Sequence, residues 1–416
     1  MREITLQEVL DAREARVSRQ KRLLAAYGRP LLSFTMNMAG PVKRSALADF
    51  AFREGLAALR GRLGTALLHE EITDAPAGLE AVLACTLPAP ALKELAVGLE
   101  TAQPVGRLYD LDVIGTDGGK LSRETGRTCL ICGGPVGPCA RSRAHGLPAI
   151  QAATSALLEG FAADRLAELA VSALLDEVEL TPKPGLVDQR NTGAHRDMDL
   201  PLFRRSAQSL RPYFRQAAAL GLEQAVCMAP LQQAGLAAEG TMLAATGGVN
   251  THKGAVYAFG LVLAALGSVL ARGGELFQTA AALAAAGLPP GTDTHGGQAW
   301  RRYGVLGARG EAMAGFPAAR MAWRVLAEQG DDALLALLTL LAEVADTNLL
   351  HRGGPEGLGF VQERARAILD GPAEARRAGL EELDNACIAR NLSPGGCADL
   401  LALALLLRRT EGIWHG

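Results

Sequence analysis

Two aspartates separated by one residue, Asp110 and Asp112 in the segment 106–114, carry the sharpest chemical signal in the first half of this chain. Along a strand, alternate side chains share a face, so both carboxylates point one way while Leu111 and Val113 point into the core. Neighbouring carboxylates repel, and keeping both ionised requires a cation or strong donor between them. Mg²⁺ suits such a pair, because it binds through one or two carboxylates together with substrate phosphates. Nucleotidyl transfer uses this device to hold a nucleoside triphosphate for in-line attack. The plain alternative is an exposed polar strand face, since the pattern is short. Upstream, Arg13, Arg16 and Gln20 fall on one face of a helix, where guanidinium forks suit phosphate oxygens or simply face solvent. Cys129, Cys132, Cys139 and His145 form C-x2-C-x6-C-x5-H. The donor set is that of a structural zinc, although the spacing is not a standard ribbon. Reduced thiols, or a phosphate-binding segment with Arg141, Arg143 and His145, are the alternatives.

In the second half, polar and glycine residues gather in six clusters, at 181–199, 246–253, 293–297, 309–316, 346–354 and 384–399. Helix ends present unpaired N–H groups that receive phosphate, and glycine admits a ligand close to the backbone. Six clusters between apolar helices point to a polyphosphate site ringed by loops. Each one alone reads equally as an ordinary cap or turn.

These residues need elements to hold them. Residues 31–36 and 108–114 read as strands, and Gly118-Gly119 offers a hairpin turn after the second. From about residue 150 strands give way to Ala/Leu-rich helical spacing, with 150–172 as continuous helix. The expectation is two domains: an α+β domain over residues 1–160 and an all-α domain over 161–416. The 416 residues are 49% apolar and 21% charged, which suits a folded chain. Lys and Arg number 19 against 17 Asp and Glu in residues 1–160, and 23 against 27 in the rest. Neither half has the basic excess that nucleic-acid binding demands. Seven scattered Cys and a charged N-terminus without an apolar core argue for the reducing cytoplasm. Residues 254–271 are uncharged but rich in Gly and Ala, and are expected to form a buried core helix rather than a membrane span.

Arg13-Glu14, Gln20, Ser33-Phe34-Thr35 with Asn37, Gly40-Pro41-Val42-Lys43, Gly106-Arg107 with Asp110 to Val113, and the Cys129 to His145 segment together resemble the phosphoribosyl-dephospho-CoA transferase family. That family attaches the prosthetic group of citrate lyase to its acyl carrier protein. The resemblance implies a nucleotidyltransferase-like domain in which a carrier serine attacks the α-phosphate of a triphosphoribosyl arm and pyrophosphate leaves. Asp110 and Asp112 would hold Mg²⁺, with Arg13, Arg16, Lys43 and Arg107 on the nucleotide.

The ordered clusters of the second half resemble triphosphoribosyl-dephospho-CoA synthase, a helical family that joins ATP to dephospho-CoA with loss of adenine. A ribose hydroxyl must then attack an anomeric carbon while positive charge grows on the sugar. Asp188, Asp197, Glu311, Asp346 and Asp399 are the candidate carboxylates. His195, His252, His295 and His351 are candidate acid–base groups, since imidazole titrates near neutrality. Catalysis is expected at His195, His252, Asp346 and His351. Lys183, Lys253, Arg309 and Arg352 can hold the triphosphate with its Mg²⁺, and Gly247, Gly248, Asn250, Gly395 and Gly396 line the approach. Cys397 stands where the family's Gly-Gly-Ser-Ala-Asp run has Ser. The expected partners are ATP, dephospho-CoA and the citrate lyase carrier subunit, with no nucleic acid and no membrane. Three competitors remain: the equivalent assembly for malonate decarboxylase, an N-glycosidic hydrolase, and a non-catalytic chaperone of the carrier. The last has no use for such costly polar groups.

Overall fold

A computed structural model describes residues 2–123, 126–223, 227–287 and 300–415. The chain divides into two compact units, Met1–Ala162 and Ala163–Gly416.

In the first unit, α1 (Leu6–Tyr27) starts on a capping box, Thr5 with Glu8, and stops at Gly28 in the left-handed conformation. Strands β1 (Leu31–Met36), β2 (Leu67–Ala75), β3 (Gly78–Cys85) and β4 (Tyr109–Ile114) form one sheet in the order β2-β3-β1-β4. All neighbours are antiparallel. One face, with Leu32, Phe34, Leu83, Leu111 and Val113, packs against α2 (Ala46–Leu63) and α3 (Ala89–Ala102). Phe34 stacks on Phe52 of α2 with centroids 4.5 Å apart. The second face changes character along its length. At one end Leu31, Val82, Ala84 and Ile114 pack on Leu23 of α1. At the other, Thr35 lies between Glu80 and Asp110 in register. Helix α1 therefore buries an apolar end and leaves a charged one.

The strand after residue 108 begins at Tyr109, because Pro104–Leu108 winds as a 3₁₀ turn. The Gly118-Gly119 turn folds back as expected, with Leu121 N donating to Val113 O at 2.9 Å. Edge strand β2 carries Glu70, Glu71 and Asp74, which pair with Arg60, Arg22 and Arg44 respectively.

Helix α4 (Val136–Ser142) follows the sheet, and the division between units falls inside α5 (Leu147–Glu179). The second unit is helical throughout its described residues. Its helices are α6 (Leu200–Ser209), α7 (Arg211–Leu222), α8 (Met228–Ala245), α9 (Lys253–Arg272), α10 (Leu276–Ala286), α11 (Gly307–Met313), α12 (Pro317–Glu328), α13 (Ala333–Glu343), α14 (Thr347–Asp370), α15 (Arg376–Ala389) and α16 (Gly395–Trp414). Helix α9 is long and apolar enough to cross a membrane, but 78% of that stretch is buried inside the protein. It packs on α7, α8, α10 and α16 as the central helix of the unit. Gly267 lets α7 come close, since a Cβ there would meet Ala218 O at 2.3 Å. Helix α14 bends at Gly354, where Pro355 removes a backbone donor.

Candidate functional site

The charged end of the first unit's sheet opens on a cavity of about 150 Å³ lined by Arg13, Arg16, Lys43, Glu80 and Asp110. Arg16 donates to Glu80 at 2.5 Å, and Glu80 is buried. The Lys43 ammonium donates to Met38 O at 2.5 Å. Burial, then the neighbouring Arg13, lowers its pKa. Three cations thus line one cavity together with Glu80 and Asp110.

Asp110 and Asp112 share the sheet face through their register with Thr35 and Ser33. Each has a cation: Arg127 lies 3.3 Å from Asp110, and Lys120, just past the Gly118-Gly119 turn, lies 2.6 Å from Asp112. Asp110 lines the cavity; Asp112 is not among its lining residues. Arg127 also donates to buried Glu100 at 2.6 Å and to Tyr109 O at 2.8 Å. Arg107, expected on the nucleotide, instead donates to Cys129 O at 2.8 Å and is exposed. Sequence reasoning missed Glu80, Glu100, Lys120 and Arg127. Only Lys120, beside a hairpin glycine pair, had a local signal.

The donor atoms of Cys129, Cys132, Cys139 and His145 all lie within 4.8 Å of one another. The backbone N–H groups of Cys132 and Ile131 point at the Cys129 sulfur and bring its thiol down to about 6.

In the second unit, loops distant in sequence converge. Lys183, 2% exposed, donates to Glu177 Oε1 at 2.7 Å. Asp399 shares this neighbourhood, where burial, Glu177 and Asp346 push its carboxyl well above the usual range. Gly254 lies against it, for a Cβ there would come within 2.0 Å of Asp399 Oδ2. His252 precedes α9 and is 3% exposed. Its Nδ1 lies 2.7 Å from Ser206 Oγ, while its Nε2 is buried without a hydrogen-bond partner. Burial, then Lys183, lowers its pKa to about 3, so the ring is neutral. Asp346 accepts from Asn348 N and Leu349 N at the start of α14 and from Cys397 N at the start of α16. Burial raises its pKa against those three bonds. The Cys397 thiol is itself buried, next to Asp346.

A second group forms around His195. Its Nε2 lies 2.9 Å from Ser393 Oγ and its Nδ1 3.2 Å from Arg352. Arg352 also donates to Ala194 O at 2.9 Å. Burial and Arg352 lower the His195 pKa, and Asp197 opposes them. Asp188 spends both oxygens on the backbone of Lys183, Arg190 and Asn191, so it shapes its own loop. Asp384 of α15 accepts from Gly185 N at 2.9 Å and from the Asn191 side-chain amide at 2.8 Å, tying that loop to α15.

Other expected residues lie apart from this core. Arg309 donates to Gly287 O at 3.0 Å and lines a separate cavity of about 150 Å³ with Tyr257. Glu311 accepts from Ala318 N. Lys253 pairs with Glu239 at 3.0 Å. Gly247, Gly248, Asn250 and His351 are exposed, whereas Gly395 and Gly396 open α16 beside Asn348 and Asp346. His295 and its cluster lie outside the described residues. Glu177 and Ser206 were missed, having no glycine or motif beside them to mark them out from other helical polar residues.

Residues 4–161 match the family described as apo-citrate lyase phosphoribosyl-dephospho-CoA transferase, and residues 163–415 match ATP:dephospho-CoA triphosphoribosyl transferase. Protein CitXG of Haemophilus influenzae is 37% identical, over 98% of this chain and 97% of its own length. The 2-(5''-triphosphoribosyl)-3'-dephosphocoenzyme-A synthase of Haemophilus ducreyi is 38% identical over 66% of this chain and 98% of its own.

Proposed function

The chain belongs to the apo-citrate lyase phosphoribosyl-dephospho-CoA transferase family in its first half and the ATP:dephospho-CoA triphosphoribosyl transferase family in its second, and from that premise we propose how each half works. It is a transferase in both halves. The second half joins ATP to dephospho-CoA and releases adenine; the first transfers the product to a serine of the citrate lyase acyl carrier protein, and pyrophosphate leaves.

One observation carries this reading: loops up to about two hundred residues apart gather Lys183, His252, Asp346 and Asp399 around the buried Glu177. Neutral His252, with its Nε2 open, takes the proton of the attacking ribose hydroxyl. Asp399, whose carboxyl is raised well above the usual range by burial, Glu177 and Asp346, delivers a proton to the departing adenine. The charge of Asp346 stabilises the cationic sugar. Arg352 binds the triphosphate with its Mg²⁺, and together with Ser393 it holds His195 at the rim.

In the first half, the β4 carboxylates form a nucleotidyltransferase-like platform. Asp110 and Asp112 fit Mg²⁺ as a same-face pair within reach of solvent, and the ion would neutralise phosphate charge there. Arg13, Arg16 and Lys43 receive the triphosphoribosyl arm across the cavity. Zn²⁺ belongs at the Cys129 cluster. The match of residues 4–161 favours citrate lyase over malonate decarboxylase as the recipient. The seven unpaired cysteines suit work in the cytoplasm.

The test is mass spectrometry of the carrier subunit after incubation with this protein, ATP, Mg²⁺ and dephospho-CoA. The carrier should gain phosphoribosyl-dephospho-CoA. With Asp110→Asn it should stay unmodified while adenine is still released. Adenine release without dephospho-CoA would instead make the second half a hydrolase, and an active Asp110→Asn would remove the carboxylate from the mechanism.

A further inference from the structure

Residues 126–146 form a loop with almost no core of its own: Cys129 is the one buried residue in it. A segment this exposed holds a fixed shape only with a staple. The cysteines and histidine supply one. Cys129 and Cys132 sit on a tight turn closed by Gly133 N to Cys129 O at 3.0 Å and Cys129 N to Gly134 O at 2.5 Å. Cys139 comes from α4, and His145 follows the left-handed cap at Arg143. Zn–S bonds of about 2.3 Å at tetrahedral angles place sulfurs about 3.8 Å apart. The Cys132 and Cys139 sulfurs are 3.6 Å apart. His145 Nε2 is buried and has no hydrogen-bond partner. Three sulfurs and one imidazole within 4.8 Å of one another are a donor set that suits Zn²⁺.

Within the loop, Val136 N donates to Arg127 O at 3.0 Å, and Thr128 pairs with Pro135 as a short antiparallel bridge. The loop meets the carboxylate strand through the Arg127 side chain. The backbone of Arg127 is therefore fixed by the knuckle, and its guanidinium spans Glu100, Tyr109 O and Asp110. Arg107, at the entrance to β4, reaches back to the carbonyl of the ligand Cys129 itself.

We propose that Cys129, Cys132, Cys139 and His145 bind one Zn²⁺, and that the bound ion positions Arg127 against Asp110 and so sets the geometry of the carrier-modifying site. The proposal rests on the transfer reading given above. Arg127 is a positioning residue: it orients Asp110 and the start of β4 and shields the carboxylate's charge. The proposal concerns the first unit alone, so adenine release by the synthase half serves as its control.

The test uses the full chain. Elemental analysis of the purified protein should give one zinc per chain, and Cys132→Ser should remove it. Carrier modification by Cys132→Ser should fall about tenfold or more, as when support behind a functional group is lost. Adenine release should stay at the wild-type rate. Arg127→Met should cause a similar fall, and the double variant should be no worse than either single one, because both remove the same contact. Hydrogen exchange of the Tyr109–Ile114 segment reads the same geometry without activity: it should quicken in both variants. Absent zinc, an unchanged exchange rate in Cys132→Ser, or additive losses in the double variant would each overturn the proposal. Should the wild-type chain leave the carrier unmodified, the transfer reading fails, and zinc content and exchange still decide this one.

Discussion

Replacing His252 by Gln should change how the second unit's stability depends on pH. In the fold the ring is 3% exposed and its pKa is lowered from an ordinary 6.5 to about 3 by burial and by Lys183. Because the folded value lies below the unfolded one, the unfolded chain binds the extra proton as acid is added. Stability is then complete above pH 6.5 and drains away between 6.5 and 3. Each pH unit in that window costs about 1.4 kcal/mol, so at pH 5 the loss is about 2 kcal/mol. Glu177, Asp346 and Asp399, whose values are raised, act with the opposite sign, so only the difference between wild type and variant isolates the histidine. Gln can still hydrogen-bond Ser206 but does not titrate. The three tryptophans, Trp300, Trp323 and Trp414, all lie in the second unit, so urea unfolding followed by their fluorescence reports on it alone. Between pH 7.5 and 5, wild type should lose about 2 kcal/mol more than His252→Gln. Equal losses would mean that the ring takes up its proton in the fold, and the neutral base proposed above would be lost.

Two further substitutions probe the frame around the site. Asp346→Asn keeps the oxygen that accepts from Asn348 and Leu349 but turns an amide toward Cys397 N, setting donor against donor. A loss of about 1–3 kcal/mol is expected in the same unfolding assay. Gly267→Ala places a methyl 2.3 Å from Ala218 O, so α7 must move away from α9. That should cost about 1–3 kcal/mol, and a neutral result would show that the two helices can slide apart freely.

The parts of this fold that were legible in sequence are those whose signal is local. Leu31–Met36 is legible as a short, mostly apolar run, Tyr109–Asp112 alternates buried and half-buried residues, and the same-face placement of Asp110 and Asp112 followed from strand geometry alone. Strand β3 was not visible. Its Leu79-Glu80-Ala81-Val82-Leu83-Ala84 is full of helix formers, and it is a strand because β1 and β2 pair with it on both sides. Glu177 was illegible for a related reason. In sequence it is one charge at the end of a long helix, and its role comes from Lys183 six residues later folding back onto it. Clusters rich in glycine were visible, and several converge. Which side chains point inward was not, as Asp188 illustrates by spending its carboxylate on its own loop. The Cys–His spacing matched no standard pattern, and only the fold brings the four donors within 4.8 Å.

The acidic strand β2 has a bearing on how this protein behaves in concentrated solution. An edge strand offers its open backbone to any second chain, and charged side chains are the usual deterrent to self-association. Here the deterrent is Glu70, Glu71 and Asp74, each neutralised in part by an arginine from the same unit. On the same strand Leu68 and Ile72 stand 47% exposed. Without those ion pairs the edge would be left with an apolar rim on an open backbone. The guard against strand-to-strand growth thus rests on side-chain ion pairs along this one strand and not on any core residue.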